Sequence, residues 1–264
     1  MVQDAQQRAA LGIPPLPLDA AQTAALCQRL QTAGSTPDDR RLLQERVPPG
    51  VDPAAYVKAG FLGEVAQSRL TSPQIDPLAA VQMLGQMVGG YNVPILIELL
   101  QSNDSVIAQA AQEALSRITL VYDAFNDIWE LAPTNAYAKG VIDAWAEAVW
   151  FTEKPVLPEV LPLTVFKVSG EINTDDLSPA VHATTRPDIP LHALTMLETR
   201  APGALAQMQA LKQLGHPLAF VGDVVGTGSS RKSAINSLLW HIGEDIPAVP
   251  NKRRGGVILG GTIA

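Results

Sequence analysis

Pro155, Pro158 and Pro162 all fall inside the stretch Lys154 to Pro162, and this cluster constrains the fold more than any other feature of the sequence. Proline lacks the amide that helices and sheet ladders use, and it fixes its own φ, so no regular element runs through such a stretch. The chain is therefore read as two domains, residues 1–157 and 162–264. Their apolar periods differ. Before the break, Ala21, Ala24, Ala25 and Leu26 to Leu30, and Val106, Ile107, Ala110, Ala111, Ala114, Leu115 and Ile118, recur at helical spacing. After it come the β-branched and aromatic runs Thr164 to Val168, Leu218 to Val221 and Val257 to Leu259, each ending near glycine.

Breaks at Gly34-Ser35-Thr36-Pro37, Val47-Pro48-Pro49-Gly50, Thr71-Ser72-Pro73, Gly89-Gly90 and Ala132-Pro133 cut the first domain into short helices. Asp19, Asp52 and Asp104 stand where a carboxylate caps such a helix, with Pro53 as a favoured first-turn residue. There is no clean sequence repeat, only repeated helical hairpins, and these resemble the degenerate HEAT-like arrays that usually make contact surfaces. The second domain is mixed α/β, with helices expected around Leu191 to Leu197, Ala204 to Leu214 and after Ser230. Ser169-Gly170 is expected to be a turn closing its first strand.

Composition excludes several function classes. No run approaches the ~18 apolar residues of a membrane span. The start, Met1-Val2-Gln3-Asp4, lacks the order of a secretion signal, so a cytoplasmic protein without a membrane partner is expected. The net charge of −7 opposes non-specific nucleic-acid binding, which needs a basic face, but leaves room for a small anion in a locally basic pocket. Cys27 is the single cysteine, so the chain forms no internal disulfide and cannot supply the thiolates of an iron–sulfur cluster; it is expected to be a buried core residue. The four histidines show no metal-ligand spacing, and no metal site is expected.

Two phrases carry chemistry. Asn173-Thr174-Asp175-Asp176-Leu177-Ser178-Pro179-Ala180 follows a strand and reads either as a capped turn or as a turn presenting Asp175 to a pocket, with Arg186 downstream to hold a substrate carboxylate. Gly226-Thr227-Gly228-Ser229-Ser230-Arg231-Lys232-Ser233 reads as a glycine-rich loop entering a helix, whose free amides and dipole favour an anion. Walker and dinucleotide loops both require glycine at position 231, where this chain has arginine, so the loop points to carboxylate recognition rather than a nucleotide.

Read together, the phrases resemble the swivelling domain of the aconitase and isopropylmalate isomerase superfamily. Gly222 to Ala234, Thr185 to Leu194 and Val249 to Arg253 are similar to its bacterial B branch, as are Arg46 to Asp52, Ala55 to Leu62 and Gly89-Gly90-Tyr91-Asn92 upstream. A helical domain placed directly before a swivelling domain is also the order of that branch. The resemblance covers essentially the whole chain and implies an N-terminal HEAT-like domain followed by a β/β/α swivelling domain cut off at its C-terminal end.

It further implies a hydro-lyase of the tricarboxylic acid cycle that interconverts citrate and isocitrate through cis-aconitate, with 2-methyl-cis-aconitate as a further substrate. Ser229 would be the base and Asp175 part of its network, while Arg186, Ser230 and Arg231, with Ser229, would hold the tricarboxylate. The 4Fe-4S cluster would be bound by the full-length family member and not by this chain, which alone is expected to be inactive. The resemblance also implies contact with the remaining aconitase domains, a homodimer through the helical domain, and mRNA binding in the cluster-free form. The alternative is a non-catalytic dimerisation module, or a ligand-binding regulatory protein derived from an aconitase.

Overall fold

The computed structural model describes residues 5–263 and the side chains of residues 5–260. Met1 to Asp4 and the end at Ala264, on which the leader and truncation expectations fall, lie outside the described residues. Two units separate, one comprising Pro17–Val156 with Pro247–Pro250, the other Met1–Leu16, Leu157–Ile246 and Asn251–Ala264. Helix α1 (Ala5–Ala10) thus belongs with the α/β unit, which no local sequence signal indicates.

The first unit is helical: α2 (Ala20–Leu30), α3 (Pro37–Glu45), α4 (Pro53–Ala66), α5 (Pro77–Gly85), α6 (Asn92–Leu99), α7 (Ser105–Arg117), α8 (Ala124–Leu131), α9 (Ala136–Ala146) and α10 (Val149–Thr152). Asp19, Asp52 and Asp104 cap α2, α4 and α7, accepting from the amides of Gln22, Ala54 and Val106 at 2.8, 2.8 and 2.9 Å. Each such cap is worth about 1 kcal/mol. Leu26, Leu30, Leu43, Leu62, Leu84 and Leu96 are buried in one core. At Gly85 a Cβ would meet Ala114 Cβ at 2.8 Å, so glycine is what allows α5 and α7 to pack this closely.

Lys58 of α4 is buried in that core, and its ammonium donates to the Gln44 carbonyl at 3.3 Å. Burial pushes Lys58 down to about 8 and Cys27 up to about 12. Between about pH 8 and the ordinary lysine value of 10.5, the unfolded chain holds the Lys58 proton that the folded chain has released. Stability therefore rises with pH there. Above the ordinary thiol value of 9.0 the unfolded chain instead loses the Cys27 proton that the folded chain keeps, which works the other way. Urea titrations of this chain should accordingly show stability climbing from about pH 8 to 9 and falling again above about pH 10.5. Lys58→Met should remove most of the climb, leaving only the contribution of Lys212, whose proton affinity burial also lowers. An undiminished climb in the variant would place its origin elsewhere.

The second unit contains β1 (Thr164–Asn173), α11 (Thr174–Leu177), a 3₁₀ turn (Ala180–His182), α12 (Ile189–Ala193), α13 (Ala204–Lys212), β2 (Leu218–Thr227), α14 (Lys232–Ile242), the short strands β3 (Glu244–Asp245) and β4 (Arg253–Arg254), and β5 (Val257–Ile263). β1, β2 and β5 form a parallel sheet with β2 in the centre. Parallel neighbours need crossovers, which α11 to α13 and then α14 supply. Phe166, Ile172, Phe220, Val225, Met208 and Leu238 fill its core.

β1 and β2 are longer than their apolar runs. Ser169-Gly170 does not end β1; the pairing shifts register between Val168 and Glu171 and then continues, so the expected turn is a bulge. Gly170 takes a φ of 81°, and its amide donates to Asp223 Oδ2 at 2.7 Å. α12 also departs from expectation, starting at Ile189 because Asp188 caps it and Pro190 suits its first turn. It stops short of Leu197, whose φ of 60° lies outside the helical region and whose amide donates to the Asp176 carbonyl at 2.7 Å.

Candidate functional site

Parallel pairing brings the two sequence phrases together. Asn173 at the end of β1 is in register with Thr227 at the end of β2, so the chain leaves both strands at the same edge of the sheet. Ligands of open α/β sheets bind outside such carboxyl ends. Asn173 caps α11, accepting from the amides of Asp175 and Asp176 at 2.9 and 2.8 Å. Asp176 returns the bond by accepting from the Asn173 amide at 2.9 Å, which commits this carboxylate to the turn. Asp175 is exposed and accepts from the Ala180 amide at 3.0 Å.

The glycine loop docks onto this corner. Gly226 and Gly228 adopt φ of 91° and 93°, a region closed to most other residues. Thr174 Oγ1 donates to the Ser229 carbonyl at 2.8 Å, and Arg231 Nη1 donates to Asp175 Oδ1 and to the Ser178 carbonyl, the latter at 3.1 Å. The Arg231 guanidinium, together with the Ala180 amide, holds the Asp175 carboxyl below the usual carboxylate range. Asp175 is thus ionised at neutral pH, a fixed counter-charge that orients Arg231.

Beside this pair lies a cavity of about 340 Å³ lined by Arg186 and Asp188 from the loop before α12, and by Arg231, Ser233 and Asn236 at the start of α14. Arg186 and Arg231, separated in sequence, face one space. Ser229 and Ser230 do not line it; both are exposed and make no side-chain hydrogen bond among the described residues. Asp188 is engaged from behind by Arg8 of α1, which is fully buried and donates to both carboxylate oxygens at 2.8 and 3.0 Å and to the Pro14 carbonyl at 2.6 Å. Removing one member of such a buried pair strands the other charge, so α1 braces Asp188 behind the cavity wall without lining it. Ser178 and His192 also line the cavity. Sequence reasoning assigned neither a role, and Ser178's place inside the first phrase was the only signal that could have drawn attention to it.

The matched family models divide at the same proline stretch: residues 1–151 match the aconitate B N-terminal domain, and residues 163–264 match the aconitate hydratase 2 N-terminus. The chain belongs to the aconitase B family. It is 64% identical over 259 residues to aconitate hydratase B of Synechocystis sp., covering 97% of this chain and 30% of that protein. Against aconitate hydratase B of Escherichia coli the identity is 55%, covering 98% and 31%, and against that of Helicobacter pylori it is 51%, covering 98% and 30%. The chain therefore spans about 30% of the length of these relatives.

The cluster expected of an aconitase does not fit the residues present. Among the described residues no three His, Cys, Asp or Glu side chains gather as metal ligands. Cys27 is buried in the helical unit, where desolvation disfavours the thiolate that iron requires. Among the described residues, no helix is long and apolar enough to cross a membrane.

Proposed function

We propose that this chain supplies one wall of an aconitate hydratase site, in a full-length aconitase B that interconverts citrate and isocitrate through cis-aconitate in the tricarboxylic acid cycle. One observation carries the reading: in a chain of this family, Arg186 and Arg231 line the same cavity, with Asp175 fixing Arg231. In this reading the helical unit is HEAT-like and the α/β unit is the swivelling domain. The 4Fe-4S cluster takes its ligands from other domains of the full-length protein.

Two guanidinium groups match a polycarboxylate, since each presents a planar fork of permanent charge. Arg186 and Arg231 would each hold a substrate carboxylate, and Ser230 would add a hydrogen bond. Ser229 would remove the proton alpha to a carboxylate. A serine hydroxyl is too weak a base unaided, so its alkoxide needs a positive field. The start of α14 and Arg231 lie next to it in sequence and offer that field. An added methyl group changes binding by only about 1–3 kcal/mol, so a site anchored on carboxylates would also accept 2-methyl-cis-aconitate.

Arg186 tests the reading most directly. Losing a charge-assisted contact costs about 1.5–3 kcal/mol, so Arg186→Gln in the full-length protein should weaken citrate binding by about 10- to 150-fold, measured calorimetrically. Unaltered affinity would remove Arg186 from the site.

A further inference from the structure

Asp188 stands between two arginines and can answer only one of them. It lines the cavity together with Arg186, two residues earlier in the chain, and its side chain keeps 23% exposure. From behind, the fully buried Arg8 of α1 donates to Oδ1 at 2.8 Å and to Oδ2 at 3.0 Å. A carboxylate held in this bidentate way has both its plane and its charge committed to one guanidinium. Oδ1 also accepts from the Leu191 amide at 3.3 Å, which ties the same group to the start of α12. Arg8 is itself fixed by its bond to the Pro14 carbonyl. Among the described residues, by contrast, the Arg186 side chain is in no ion pair.

Three guanidinium groups, those of Arg8, Arg186 and Arg231, therefore stand against two carboxylates, Asp175 and Asp188, and one positive charge is left over. It falls on Arg186, because Arg231 is paired with Asp175 and Arg8 with Asp188. With an uncharged residue at position 8, Asp188 would be a largely buried carboxylate without a counter-charge, which is costly. Its replacement partner is Arg186, two residues away on the same cavity. That pairing would consume the one guanidinium that is open to a ligand, and the cavity would carry no net charge to attract an anion.

We propose that Arg8 is a positioning residue of this site: by holding both oxygens of Asp188 from behind, it keeps the Arg186 guanidinium free for an anionic ligand in the cavity. Arg8 does not line the cavity and acts through Asp188 alone. α1 thereby gains a task in ligand binding, although Arg8 lies 180 residues before its partner in the sequence. The proposal deepens the tricarboxylate reading and rests on it for the identity of the ligand, while the charge of the cavity is tested without substrate.

In the full-length protein, Arg8→Gln should weaken citrate binding by about tenfold, measured calorimetrically, and should raise KM far more than it lowers kcat. Combining Arg8→Gln with Asp188→Asn removes both charges, and asparagine can still cap α12, so affinity should return to within about threefold of the parent protein. A residue that only props the wall would leave the double variant as weak as the single one; that result overturns the proposal, as does parental affinity in Arg8→Gln. Should Arg8→Gln fail to fold, Asp188→Asn decides, since it leaves Arg186 without a competing carboxylate and should bind citrate at least as tightly as the parent. A loss beyond about threefold overturns the proposal. In this chain, an anionic nitroxide should relax the Ala183 and Asn236 amides at the cavity more than its neutral analogue does, and the excess should fall in Arg8→Gln and recover in the double variant. If the unmodified full-length protein does not bind citrate, the tricarboxylate reading fails, and this relaxation pattern decides the proposal alone: an excess that is the same with and without Arg8 overturns it.

Discussion

Arg231→Lys in the full-length protein should lower kcat/KM for citrate by about 10²- to 10³-fold while leaving the unfolding midpoint almost unchanged. Lysine preserves the charge but not the fork. Arg231 donates to Asp175 and to the Ser178 carbonyl, a two-partner contact that sets the guanidinium plane at the cavity. A single ammonium on a flexible stem cannot hold both partners and still offer a flat pair of donors to a carboxylate. Stability should change little because Asp175 is exposed and solvent replaces most of what its partner provides. Steady-state kinetics on citrate and isocitrate, paired with thermal unfolding, check both halves; kinetics like those of the parent protein would exclude Arg231 from substrate contact.

Ser229→Ala in the full-length protein should reduce kcat by about 10²- to 10⁴-fold with KM for citrate nearly constant, because it removes the proposed proton acceptor and not an anchoring charge. Thr174 fixes the loop through the Ser229 carbonyl, a backbone contact that the variant keeps, so the loop should retain its shape. Ser229 stands outside the cavity lining, so its role requires the substrate to reach beyond the space between the two arginines. A turnover number close to that of the parent protein would disqualify Ser229 as the base and shift attention to the hydroxyls that do face the cavity, Ser178 and Ser233.

Signals spanning a few residues were legible in the sequence. The prolines at 155, 158 and 162 marked where helix gives way to strand, and Asp19, Asp52 and Asp104 named their helix starts, because a cap is a bond between residues two or three apart. Residue types in the two phrases point to an anion, and arginine at position 231 departs from the glycine that nucleotide loops carry there. Ser169-Gly170 misled for the same local reason: turn chemistry is identical in a turn and in a bulge, and only pairing with β2 tells them apart.

What the tertiary structure alone decided is how distant residues meet. The Asn173–Thr227 register puts the phrases side by side, and it arises from a crossover whose length and packing no short window encodes. The same holds for Arg8 reaching Asp188, for His192 reaching Ser178, and for Ser229 and Ser230 lying outside the cavity that Arg186 and Arg231 share. Composition and period fix which surfaces are apolar and where backbone bonds must end, whereas the direction in which a polar side chain points depends on how whole elements pack. The sequence therefore determined the parts, and the packing of β1, β2, α1, α12 and α14 decided which of them meet at one cavity.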